Sequence, residues 1–197
     1  MTKKIILSVA LGIGIGYFLI PDGFVIPFDL FIDIGLMLLL FFVGIDIGMN
    51  RSVFKKVKNM GFKILLIPVM IIIGSITGSI LAGLFLSIPY NEAGAIGAGL
   101  GWYTLSSILL SNHSNELATL AFISNVVREL IGFMIIPLIA SKIGFTEAIA
   151  PVGAAAMDTG LPIIARATDS ETAILAFISG AICTFSVPIL VPLIVNL

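Results

Sequence analysis

Two carboxylates and a guanidinium stand in stretches of sequence where charge is costly. The run Ser124-Asn125-Val126-Val127-Arg128-Glu129 lies in the middle of an apolar stretch, residues 117–139. A charge at bilayer depth costs about 2.5–3.5 kcal/mol even on permissive insertion scales, so it persists where it lines a polar cavity or has a partner. On a helix, Asn125 and Glu129 share one face, and Ser124 and Arg128 share the adjacent one. Glu129 therefore reads as lining a path for a solute or a proton. The alternative is that Arg128 and Glu129 tie their helix to its neighbours. Asp158 follows Met157 and precedes Thr159-Gly160-Leu161-Pro162. A carboxylate beside a Gly/Pro break suits the tip of a re-entrant hairpin, where unwound backbone and helix ends meet in a polar cavity. Asp158 capping a half-helix is compatible with that role. Tyr103, Thr104, Ser106 and Ser107 offer hydroxyls that bind a polar solute without the cost of a charge, or else bond between helices.

Other polar residues carry less. Asp33 and Asp46 lie near the ends of an apolar segment, the cheap place for a charge. Trp102 reads as an interfacial anchor or a pocket wall. His113 has no second histidine beside it, so no metal site is expected. With no nucleophile-elbow motif, no enzyme, catalytic residue or cofactor is expected either. Cys183 is the one cysteine, which rules out a disulfide within the chain.

Something must hold these residues, and the composition says what. The chain of 197 residues is 59% hydrophobic and 11% charged, against roughly 25% charged in soluble domains. Lipid is the solvent that fits. Seven apolar segments are visible: 5–20, 30–47, 64–88, 93–110, 117–139, 148–164 and 173–197. Five are suited to span a membrane. The fourth contains Gly94, Gly97, Gly99 and Gly101, and the sixth contains Pro151, Gly153, Gly160 and Pro162. Both are expected to be broken or re-entrant. The first segment lacks a small-x-small cleavage site and reads as a retained helix. The pairs Gly12/Gly16, Gly74/Gly78, Ser75/Ser79 and Gly97/Gly101 allow helix backbones to approach closely.

Of ten Lys and Arg residues, Arg51, Lys55, Lys56, Lys58 and Lys63 fall in one loop. That loop is expected to be cytoplasmic, which also places Lys3 and Lys4 inside. Lys142 joins them if segment four enters and leaves on one face. No nucleic-acid partner is expected. A repeat supports the re-entrant reading. Shifting the chain by 55 residues lays Leu120-Ala-Phe-Ile-Ser124 on the identical Leu175-Ala-Phe-Ile-Ser179. The same shift lays Thr104 on Thr159, Glu116 on Glu171, Pro137 on Pro192, and Trp102-Tyr103 on Met157-Asp158. Each unit pairs a broken segment with a spanning helix, so the second copy is inverted relative to the first, a recurrent transporter design. The expected fold is thus an all-α integral membrane protein of about five transmembrane helices plus two re-entrant segments. It divides into residues 1–88, a first repeat 89–142 and a second repeat 143–197, with the N-terminus cytoplasmic and the C-terminus external.

Four motifs carry a family resemblance: Phe41-Phe-Val-Gly-Ile-Asp46, Gly101-Trp-Tyr-Thr-Leu-Ser-Ser107, Asn125-Val-Val-Arg-Glu-Leu130 and Met157-Asp-Thr-Gly-Leu-Pro162. Together they resemble the LysO-type lysine exporters. The resemblance implies export of lysine and its analogues across the inner membrane, with two functional intramembrane acids that match Glu129 and Asp158. It is to the C-terminal portion of full-length members. That implies either a homo-oligomer or a small membrane subunit supplying further N-terminal spans. The family pattern has an acid where this chain has Asn125, which leaves substrate preference and proton stoichiometry open. The expected activity is secondary transport of lysine or a related cationic amino acid, coupled to inward proton movement. Arg128, Asn125 and Thr159 join Glu129, Asp158 and the four hydroxyl residues 103, 104, 106 and 107 as candidate binding residues. An exporter or antiporter of another amine or cation would use the same acids.

Overall fold

The computed structural model describes residues 2–19, 28–49 and 61–197. Arg51, Lys55, Lys56 and Lys58 of the basic loop lie outside the described residues, as do residues 21–27 and the side chains of Asp33 and Asp46.

The described chain is helical. Helices α1 (Thr2–Leu19) and α2 (Phe28–Met49) come first. A 3-10 turn, Gly61–Leu65, leads into α3 (Leu66–Leu86). Two short helices follow, α4 (Tyr90–Gly97) and α5 (Tyr103–Ser111), and then the long α6 (Asn115–Lys142). A second irregular stretch consists of the 3-10 segment Glu147–Met157 and α7 (Leu161–Ala167), before the final long helix α8 (Ser170–Val195). Three helical stretches are long and apolar enough to cross a membrane: Gly61–Leu86, Asn115–Lys142 and Ser170–Val195. Helices of this length and composition suit a lipid bilayer.

The long helices begin where local chemistry says they should. Ser114 is extended and accepts the Leu117 N–H at 3.0 Å, with Glu116 in the first turn of α6 and Lys142 in its last. Asp169 is also extended and accepts the Thr172 N–H at 2.8 Å, with Glu171 in the first turn of α8. Both caps satisfy an orphan N–H, and the acids favour the positive end of the helix dipole. The two caps stand 55 residues apart, as do the two helix starts.

The two broken segments owe their shape to glycine and to mutual contact. Between α4 and α5 the chain passes Leu100 at φ 50° and Gly101 at φ 97°. Within Glu147–Met157, Gly153 stands at φ 56° and ψ −113°. The breaks touch: the Ala154 N–H donates to the Leu100 carbonyl at 2.8 Å. A Cβ on Gly101 would lie 2.9 Å from the Val152 carbonyl oxygen, and one on Gly153 would collide with that of Leu100. Glycine is required at both positions by φ and by space. Backbone that leaves helical geometry among apolar helices is tolerated where protein buries it, and Leu100, Val152, Gly153 and Ala154 are all buried.

Small residues bring the elements together. Buried Ala95, Ala98, Ala121, Ala154, Ala156, Ala173 and Ala176 form much of the core between the breaks, α6 and α8. Ser75 and Ser79 of α3 straddle Gly97, with hydroxyls donating to the Gly97 carbonyl at 2.7 Å and to the Ala93 carbonyl. Gly12, Gly16, Gly74 and Gly78 have no such neighbour among the described residues. At one end of the bundle, a cavity of about 320 Å³ is lined by Leu86, Ser87, Pro89 and Glu92 together with Ser114, Glu116 and Leu117. The end of α3, the start of α4 and the start of α6 therefore lie together. Asn91 donates to the Val195 carbonyl at 3.0 Å, which brings the end of α8 to the same place.

Candidate functional site

The contact between the two breaks leaves a second cavity, also about 320 Å³, within the range of roughly 300–1,000 Å³ common to small-molecule sites. The first break supplies Gly101, Trp102, Tyr103 and Thr104. The second supplies Ala154, Ala155, Met157, Asp158 and Thr159. Helices α6 and α8 add Glu129 and Thr184.

The acids are joined through one threonine. The Thr159 hydroxyl donates to Glu129 Oε1 at 2.5 Å and lies 3.3 Å from Asp158 Oδ1. The Thr159 N–H donates to the same Asp158 oxygen at 2.6 Å. Asp158 has left helical geometry, at φ −129° and ψ −98°, so its carboxylate folds back over the next residue. A hydroxyl has a single proton to donate and here commits it to Glu129, while the backbone serves Asp158. One oxygen of each carboxylate is thus held in place. Tyr103 and Thr104 occupy the first turn of α5, and the Tyr103 ring meets Phe122 edge-on at 5.4 Å.

Four other candidates lie outside this cavity. Asn125 is buried: its Oδ1 accepts the Gly101 N–H at 2.7 Å, and its Nδ2 donates to the carbonyls of Ala121 at 2.9 Å and Ile96 at 3.2 Å. It braces the first break. Arg128 is turned from Glu129 although adjacent in sequence. Its Nε donates to the Pro151 carbonyl at 2.9 Å, its Nη1 to Ser75 Oγ at 2.6 Å, and its Nη2 approaches the Ala150 carbonyl at 3.4 Å. Ser75 passes its own proton to Gly97, so one guanidinium is linked to the backbone before both breaks. Ser106 is buried and donates to the Tyr103 carbonyl at 3.2 Å, and Ser107 is half-buried. Among the described residues no His/Cys/Asp/Glu group is arranged to hold a metal ion.

Sequence reasoning missed Thr184. A threonine in an apolar helix costs little, so it carries no energetic signal, but the repeat held one: Thr184 falls 55 residues after Glu129. Its hydroxyl faces Met157 Sδ at 3.7 Å.

The profile of the family described as "Lysine exporter LysO" matches residues 6–195. The chain is similar to "Lysine exporter LysO" of Escherichia coli K12, 33% identical over 157 residues, which is 79% of this chain and 52% of the relative. It is also similar to "Putative lysine exporter" of Haemophilus influenzae Rd, 32% identical over 156 residues and 79% of each chain. The match thus spans about half the length of the first relative and more than three-quarters of the second. No solved structure matches. With two breaks meeting around paired acids and a family profile that runs nearly end to end, this chain belongs to the LysO lysine exporter family.

Proposed function

We propose that the chain exports lysine or a related cationic amino acid across the inner membrane by alternating access, in exchange for protons. The observation that carries this reading is the pair Glu129 and Asp158, tied by Thr159 in a cavity between two helix breaks of an apolar bundle. An ammonium group and a proton compete for the same carboxylate oxygens. Protonating either acid removes the charge that holds the ammonium, so proton binding on one face and substrate binding on the other become alternatives at one site. That is the elementary requirement for exchange.

The inverted repeat belongs to this proposal. Four cavity positions recur at the 55-residue offset: Trp102 with Met157, Tyr103 with Asp158, Thr104 with Thr159, and Glu129 with Thr184. The shared cavity at the ends of α3, α4 and α6 supports a first segment that enters and leaves on one face. With five spans, α6 then runs inward and α8 outward, which puts Lys142 in the cytoplasm and the C-terminus outside. Assembly with a second copy or with a small membrane subunit is part of the same reading. Cross-linking in native membranes followed by mass measurement tests it.

The export claim is tested by lysine efflux from loaded proteoliposomes under an imposed proton gradient. Wild-type chain should release lysine faster when the gradient drives protons inward. Glu129→Gln and Asp158→Asn should each abolish the effect. Normal gradient-driven efflux by both variants would remove these acids from the mechanism. Efflux of another amine in place of lysine would move the substrate while keeping the acids.

A further inference from the structure

A cationic amino acid carries a carboxylate as well as ammonium groups, and that carboxylate needs donors, not acids. The cavity offers both. Glu129 and Asp158 supply its acids, with Thr159 between them. Tyr103 and Thr104, in the first turn of α5, and Thr184, reaching in from α8, form the rest of its polar lining. Where the second break has Asp158 the first has Tyr103, and where α6 has Glu129, α8 has Thr184. Each acid is thus matched by a hydroxyl.

Thr184 is half-buried and its proton is only weakly committed. Its partner, Met157 Sδ at 3.7 Å, is a weak acceptor, so the hydroxyl can turn to a better one. Arg128 does not serve this end, because its three nitrogens are engaged with Pro151, Ala150 and Ser75. At α5, Trp102 gives no side-chain cap, which leaves first-turn N–H groups at Tyr103 and Thr104, two residues of the same cavity.

We propose that Thr184 is a specificity-determining residue: its hydroxyl donates to the carboxylate of the bound amino acid, while the acids hold the ammonium. The cavity thereby selects cationic amino acids over simple diamines. This rests on the export reading and adds the orientation of the substrate to it.

Inside-out vesicles from cells producing the full chain provide the test. Lysine uptake gives KM, and inhibition by 1,5-diaminopentane, which is lysine without its carboxylate, gives Ki. Thr184→Val should raise the ratio of lysine KM to diamine Ki by about 10-fold, the usual scale for a lost hydrogen bond to a charged group. Thr184→Ser should restore the wild-type ratio, and Thr184→Glu should favour the diamine further. An unchanged ratio in Thr184→Val, or equal weakening of both ligands, overturns the proposal while leaving export intact. Wild-type vesicles that take up no lysine would instead overturn the export reading.

Discussion

The two halves of the cavity share a plan and differ in where they place their charge. In the first, Tyr103 and Thr104 open a short helix after a glycine break, and Asn125 of α6 braces that break through the Gly101 N–H. In the second, Asp158 and Thr159 hold the matching place, and Gly180 of α8 stands where α6 has Asn125. A Cβ on Gly180 would lie 2.5 Å from the Met157 nitrogen, so the second break is held by direct backbone contact with α8, not by a side-chain amide. A similar framework thus carries its acid on the long helix in one half, Glu129, and at the break in the other, Asp158, with Thr184 and Tyr103 at the matching places. Charge at depth is costly, and each half carries one acid on the cavity, with a hydroxyl at the place matching the other half's acid.

The largest expected effect breaks this contrast directly. Asp158→Asn should cut lysine efflux roughly 30-fold or more, the scale for truncating a buried charged partner, while Tyr103→Phe at the matching position should change it only a few-fold. Efflux from proteoliposomes checks both. Equal effects would mean that the halves are not specialised.

Next comes the threonine pair. Thr159→Val removes the hydroxyl that holds Glu129 and should weaken lysine binding by about 1–3 kcal/mol, with Thr159→Ser close to wild type. Thr104→Val, at the matching place in the first break, should cost less. Binding calorimetry on the purified variants measures the difference.

The smaller effects concern the scaffold common to both halves. Gly153→Ala forces a side chain to φ 56° and into the Leu100 carbonyl, and Gly101→Ala does the like at φ 97°. Each should destabilise the fold by about 1–3 kcal/mol in thermal unfolding. Ser75→Ala breaks the link from Arg128 to Gly97 and should cost about 1 kcal/mol by the same assay.

These contrasts show what the residues disclosed by themselves. Breaks at the glycines before Tyr103 and at Gly153 were legible because glycine and proline interrupt otherwise apolar runs. Glu129 and Asp158 were legible because charge in such runs is expensive, and the structure sets both on one cavity. The direction of Arg128 was not legible. Adjacent helical residues point to different faces, and its actual partners are carbonyls freed by a break 22–23 residues away in sequence. Asn125 shares a helical face with Glu129, yet lies one turn off the cavity against the first break. Thr184 gave no signal of cost, and only its register in the repeat pointed to it.

In the proposed arrangement, the two broken segments enter from opposite faces and meet in the middle. Lys142, at the exposed end of α6, reports on it. In a Cys183→Ser background, a Lys142→Cys variant is treated with a membrane-impermeant maleimide in intact cells and in inside-out vesicles. Oppositely inserted segments predict labelling in the vesicles alone. Labelling of residue 142 from outside intact cells would contradict them, and the paired-hairpin site would have to be abandoned.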